Sequence, residues 1–209
     1  MMRKMMISAA PLVVLLSGVA MAQGSGAQTG LVIGGQLGYA QFEPQTIKYD
    51  GYDANNGGTY GGAIIGYDHA LSPMLSIGIE SGLNYGHQIM NTSRDQWRQE
   101  VDTSTLDIPV MGTVKFFPTE DGFNVFAKFG VNYSIQTTTD SIIWPETNSD
   151  TKRKWVPIAA ACVGYQINAF NIFAQYTYVF GKKWSDPYVE DETVTMYALT
   201  AGVTYTIPM

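Results

Sequence analysis

Three charged residues recur at similar depth in three consecutive alternating segments: Glu80, Lys115 and Lys128. Each falls on the inner face of its predicted strand, in the lower half or middle counted from the tight-turn end. Opposite charges in a narrow interior must pair, because a lone buried charge is costly. Asp68 and Asp107 lie in strands of the same set and join this candidate interior charge network. Such a network can plug an interior and hold the wall closed, or form a constriction that selects ions. An eight-stranded interior is normally filled by side chains, which favours the plug.

Other chemistry-bearing residues are sparse. His69 and His87 are the only histidines, and His87 lies near Ser93 and Asp95. A lipid-modifying barrel enzyme needs a His base beside a Ser nucleophile near the membrane surface. Nothing in the spacing selects this trio, and His69 beside a turn reads as an interface residue. Cys162 is the single cysteine and reads as a small apolar residue within a strand. The Lys152-Arg153-Lys154 and Glu190-Asp191-Glu192 runs fall in different predicted loops, as solvated charge or as contacts to lipopolysaccharide phosphates, a host surface or each other. The chain has no metal-ligand spacing, phosphate loop or Cys–His constellation. No catalytic, metal or cofactor-binding residue is assigned, and no cofactor is expected.

The elements that position these residues are strands. Leu75, Ile77, Ile79, Ser81, Leu83 and Tyr85 alternate with small or polar residues at period two. The same alternation runs through Leu106–Phe116, Phe123–Ile135 and Tyr197–Ile207. Weaker versions occupy Leu31–Phe42, Tyr60–Ala70, Trp155–Ile167 and Ile172–Phe180. Eight strands of this length suit the ~9–11 residues a tilted strand needs to cross a bilayer. Short connections at 71–73, 118–122 and 168–171 alternate with long ones at 43–58, 87–102, 137–154 and 181–193. That disparity predicts an all-β fold, an eight-stranded antiparallel up-and-down transmembrane β-barrel. A pair of further strands hidden in the long loops would make ten.

Composition and charge agree. Only 14% of the 209 residues are charged, and the net charge of −6 argues against a nucleic-acid partner. Residues 1–22 read as a signal peptide, with Arg3 and Lys4 before an apolar stretch and Ala20-Met21-Ala22 as a cleavage site. Removing them leaves a barrel domain over 23–209 and takes the net charge to −8. Within the predicted strands only Asp68, Glu80, Asp107, Lys115 and Lys128 are charged. A soluble barrel would show Lys/Glu-rich faces to water, so the apolar face here is read as facing lipid. Aromatic residues collect at strand ends: Tyr39, Phe42, Tyr85, Tyr133, Trp155, Phe180 and Tyr197 at the loop end, and Tyr67, Phe116, Phe123, Tyr165 and Tyr205 at the turn end. Two such belts match the girdles at the membrane interfaces.

The last strand carries Thr200-Ala201-Gly202-Val203-Thr204-Tyr205-Thr206-Ile207. It resembles the C-terminal assembly signal of bacterial outer-membrane barrels, with Thr200, Gly202, Tyr205 and Ile207 at the signature positions and Ile207 in place of the usual final aromatic. Over residues 29–207 the chain resembles the OmpA-like and porin-family small outer-membrane β-barrels. That resemblance implies a Gram-negative outer membrane, long loops outside the cell, and partners among outer-membrane lipids, lipopolysaccharide and the barrel assembly machinery. The expected function is a structural or surface-interaction role, with a host or surface ligand at the loops and room for minor pore activity. The alternatives are a narrow channel for small solutes, a lipid-modifying enzyme and a soluble exported ligand barrel.

Overall fold

The structure is a computed structural model that describes residues 26–43, 53–94, 99–141, 147–181 and 195–209. Its strands are β1 (Gly30–Phe42), β2 (Asp53–Asn56), β3 (Gly58–Ser72), β4 (Leu75–Arg94), β5 (Gln99–Phe116), β6 (Phe123–Ser141), β7 (Thr147–Ile167), β8 (Phe170–Val179) and β9 (Met196–Pro208). Successive strands pair antiparallel. The β1–β9 and β4–β5 ladders complete the circle, so the wall is closed. The described residues contain no helix.

Nine strands make an eight-stranded barrel because β2 continues β3 beyond a kink. The kink is Gly57, whose φ is +134° and where an added Cβ would meet the Tyr39 hydroxyl. Opposite it, Gln88 has φ +48°, and the β4–β5 register shifts between Gly86 and Met90. This bulge turns Ile89 into the lumen, where it is fully buried.

The pairing fixes the barrel's shape. A row of partners leaves β1 at Val32 and passes Gly66, Glu80, Met111, Gly130, Ile158, Val179 and Met196. It returns to β1 at Phe42, ten residues further along. A stagger of that size over eight strands tilts them by roughly 40° and leaves a lumen only wide enough for side chains.

Alternation then sorts the residues. Leu37, Ile65, Ile79, Leu83, Phe129, Ile172 and Leu199 point outward and are exposed, whereas Lys128, Asn132, Gln175 and Thr200 point inward and are buried. Tyr39, Tyr85, Trp155 and Phe180 stand outward at the loop end, and Tyr67, Phe116, Phe123 and Tyr165 at the turn end. Phe123 and Tyr133 on β6 are ten residues apart, which on a tilted strand is roughly 25 Å, the height of a lipid-facing band. Tyr133 packs on Trp155 at 5.1 Å and Phe170 on Tyr205 at 4.8 Å, so the girdles are built from cross-strand pairs. Phe42 departs from the expectation. It faces inward and is 3% exposed, because the parity of β1 set by Gln36 puts even-numbered residues in the lumen.

The connections at the loop end also differ from the sequence reading. Much of 87–102 and 137–154 is ladder, with β4, β5, β6 and β7 running on past the outer girdle. These segments are rich in Thr, Ser and Asn and lack the apolar face that alternation detects. The wall has one weak seam within the membrane. The β4–β5 ladder has no pairs at Gly82–Leu83 and Ile108–Pro109, where Pro109 has no N–H to donate. From the lipid-facing side, the Ser81 hydroxyl donates to the Pro109 carbonyl at 2.9 Å. Ser81→Ala should therefore cost about 1–2 kcal/mol in equilibrium unfolding from lipid vesicles. An unchanged unfolding midpoint would show that the seam does not depend on this bond.

Candidate functional site: a filled lumen and a raised rim

At the turn end, the chain before β1 crosses the barrel mouth. Ala27 N donates to the Pro73 carbonyl at 3.0 Å, and the Gln28 amide donates to the Asn168 carbonyl at 3.0 Å. Gln166 reaches back to the Gly26 carbonyl at 2.9 Å, and the Thr29 hydroxyl accepts from Ala70 N at 2.9 Å. Short turns at 73–74 and 168–169 bring these partners close enough for four residues to span the opening.

Above this mouth lies the charge layer. Lys115 pairs with Asp68 at 2.8 Å, and Lys128 with Glu80 at 2.6 Å. The Thr113 hydroxyl lies 3.5 Å from Asp68 as a further donor. Phe126 stands between the two cations, 5.3 Å from Lys115 Nζ and 5.4 Å from Lys128 Nζ. Phe173 lies 5.4 Å from Lys128 Nζ and packs edge-on against Phe126. The rings occupy the space that water would need to separate the pairs. The cavity left among them is about 10 Å³, at the lower limit for one water. Gly202 on β9 makes room for this packing, since an added Cβ would lie 2.5 Å from the Phe173 ring.

Asp107 sits nearer the loop end and is apart from both ion pairs. It is 0% exposed, and its described partners are neutral. Asn132 donates at 2.8 Å, the Tyr60 hydroxyl at 3.2 Å and the Thr105 hydroxyl at 3.3 Å. Beside them Gln36 bridges Asn84 at 2.9 Å and Thr200 at 3.1 Å. Asp107 therefore belongs to a hydrogen-bonded cluster joining β3, β5 and β6, while Asp68, Glu80, Lys115 and Lys128 form the charge network. Ala40, Phe42, Tyr60, Ile89, Met111, Val156, Ile158, Val179, Met196 and Ala198 form one buried apolar cluster across the loop-end lumen.

Sequence reasoning missed this cap, and it missed Phe126 and Phe173. The signal was parity: Phe126 lies between Asn124 and Lys128 on the inward positions of β6, an aromatic among polar neighbours. Cys162 is also inward and buried, donating to Gln175 at 3.4 Å. His69 is exposed near its turn. His87 is exposed at the bulge, with Tyr85 as its ring neighbour at 6.3 Å. Asp95 and the Ser93 side chain lie outside the described residues, as do Glu190, Asp191, Glu192 and the whole of 1–22. Of the C-terminal run, Thr200 and Gly202 face the lumen, while Tyr205 and Ile207 face outward.

A closed barrel with a lipid-type exterior, two aromatic girdles and a side-chain-filled lumen defines the class of protein as a small membrane β-barrel. The chain belongs to the outer membrane protein β-barrel domain family, whose model matches residues 10–208. No curated protein matches the chain by sequence. Among solved structures it is similar to Ail, the attachment invasion locus protein of Yersinia pestis, in complex with the heparin analogue sucrose octasulfate (TM-score 0.56, 14% identity, 86% of this chain and 99% of that one). It is similar to Neisserial surface protein A (TM-score 0.51, 13% identity, 85% and 97%). It is also similar to OprG from Pseudomonas aeruginosa (TM-score 0.50, 14% identity, 90% and 100%). At these identities the likeness is one of fold.

The ion pairs yield a direct expectation. Glu80→Gln leaves Lys128, 2% exposed on its side chain, without its counter-ion and should destabilise the barrel by roughly 3–5 kcal/mol. Glu80→Gln combined with Lys128→Met should cost less than Glu80→Gln alone, because no unpaired charge remains. Unfolding titrations in detergent or vesicles would measure both, and simple additivity would show that the two residues act independently.

Proposed function

We propose that this chain is a non-enzymatic outer-membrane barrel with a structural or surface-interaction role, its working surface being the strands that rise past the outer girdle. The observation that carries this reading is the filled lumen. Two ion pairs, two phenyl rings and an apolar cap occupy successive levels, and a conducting path would have to displace all of them. A host or surface ligand would bind at the loop end, where β4 to β7 rise past the outer girdle. The reading includes export by cleavage after Ala22, recognition of Thr200, Gly202, Tyr205 and Ile207 by the barrel assembly machinery, and lipopolysaccharide around the outer girdle. His87 serves in it as a rim residue beside Tyr85 and not as a catalytic base.

Purified protein in planar bilayers should show no steady conductance, and Lys128→Gln should not create one. A reproducible wild-type conductance that changes on neutralising Lys128 or Glu80 would overturn the reading in favour of a narrow solute channel. The His87 assignment has its own test. Expression of the wild-type chain should leave lipid A and phospholipids unchanged by mass spectrometry. A modification lost in His87→Ala would establish the enzyme instead.

A further inference from the structure

The filled lumen leaves one carboxylate without a counter-charge. Lys115 and Lys128 are taken by Asp68 and Glu80. Asp107 is 0% exposed and has no ion-pair partner among the described residues. Lys154 stands across the ladder from Ser134, the residue opposite Asp107, but it is exposed and forms no ion pair with Asp107. An ionised carboxylate sealed from water needs a positive charge beside it.

The atoms around Asp107 are oxygens with a wide spacing. Thr105 Oγ1 lies 3.3 Å from Asp107 Oδ1 and 3.3 Å from Ser134 Oγ, and the Tyr60 hydroxyl oxygen lies 3.2 Å from Asp107 Oδ2. Hydrogen bonds between oxygens usually span about 2.5–3.0 Å. Two oxygens that share one cation at about 2.4 Å, at right angles around it, lie roughly 3.4 Å apart. A hydroxyl can turn its hydrogen away and offer a lone pair instead. The spacing therefore suits oxygens gathered around a cation. Asn132 adds a separate observation. Its Nδ2 donates to Asp107 at 2.8 Å, while its Oδ1 is buried with no hydrogen-bond partner. A buried acceptor left unmade is costly. It belongs to the amide already anchored on Asp107, and a cation held by that carboxylate is the partner it lacks.

We propose that Asp107, Thr105, Ser134 and Asn132 form a binding site for one monovalent cation of the size of sodium, held between β5 and β6. Charge and size select the ion. One carboxylate among neutral oxygens balances one positive charge, so a divalent ion would leave an excess in the same dry interior. Magnesium also needs its oxygens at about 2.0–2.1 Å, and hence closer together than these are. The apolar cap and the ion-pair layer leave the site no open path, so the ion enters as the barrel closes and is read out through folding. This goes beyond the surface-interaction reading and does not depend on what binds at the loops.

The test is equilibrium urea unfolding of the protein in phosphatidylcholine vesicles at constant ionic strength. Sodium chloride is replaced stepwise by N-methylglucamine chloride, or by potassium chloride. Only the closed barrel holds the site. Sodium should therefore raise the folding equilibrium constant about tenfold for each tenfold rise in its concentration above half-saturation. Potassium, a larger ion, should raise it less. Asp107→Asn removes the charge with little change of shape, and its stability should be independent of sodium. Ser134→Ala keeps the charge and removes one oxygen. It should shift the sodium concentration for half effect upward by about tenfold or more, and it tests the site even if Asp107→Asn does not fold. Electrophoretic mobility without boiling identifies the variants that do fold. Three results would overturn the proposal. One is equal wild-type stability in sodium and N-methylglucamine, which would leave a proton as the charge that accompanies Asp107. Another is an equal effect of potassium and sodium. The third is a sodium dependence in Ser134→Ala unchanged from the wild type, meaning that the salt acts at the lipid surface.

Discussion

Hydrocarbon offers no hydrogen bonds, and this constraint governs the whole molecule. An unpaired backbone group in lipid costs several kcal/mol, so an open sheet edge inside the membrane is excluded. The strands must close on one another, and here they close with a ten-residue stagger. Closure at that stagger sets the strand tilt and the narrow lumen together. The one place where the ladder lapses within the lipid-facing band, at Pro109, shows how strict the demand is. A hydroxyl from the lipid-facing side is recruited to the unsatisfied carbonyl.

A narrow lumen imposes the next constraint. Polar groups inside have little water to turn to and must satisfy one another. The barrel solves this in levels of different chemistry. Near the turn end, charges pair across the lumen, with Asp68 and Glu80 on adjacent strands facing Lys115 and Lys128 on the next two. Phe126 and Phe173 fill the space beside the cations and keep it dry. Higher up, Asp107 is held by neutral donors, while the opposite wall contributes Val156, Val179 and Ala198 to the apolar cap. The interior is a core, built by the same packing rules as that of a soluble protein but with more of its bonds made by side chains.

Above the outer girdle the constraint relaxes. Water can satisfy a free edge there, so strands need not end together. β8 stops where Pro157 and Gly181 end its ladder, while β7 continues to Thr147. The same edge within the membrane would be prohibitively costly.

Much of this was legible in the chain. Period-two alternation over Leu75–Tyr85, Leu106–Phe116, Phe123–Ile135 and Tyr197–Ile207 determines which residues face lipid, because a strand has only two faces. Uncharged polar faces and terminal aromatics determine that the outside is a membrane. The charged residues of the lumen could be named for the same reason. Which of them pair could not, since Asp68 meets Lys115 and Glu80 meets Lys128 only through the stagger of four strands. The separation of Asp107 from that network, the inward turn of Phe42 and Ile89, and the filling by Phe126 and Phe173 have the same origin. So does the extension of β4–β7, whose Thr- and Ser-rich ends carry no apolar periodicity. Facing is a local property of a strand, but height around a barrel is set by the sum of every register in the closed ladder, and only the tertiary structure decides that.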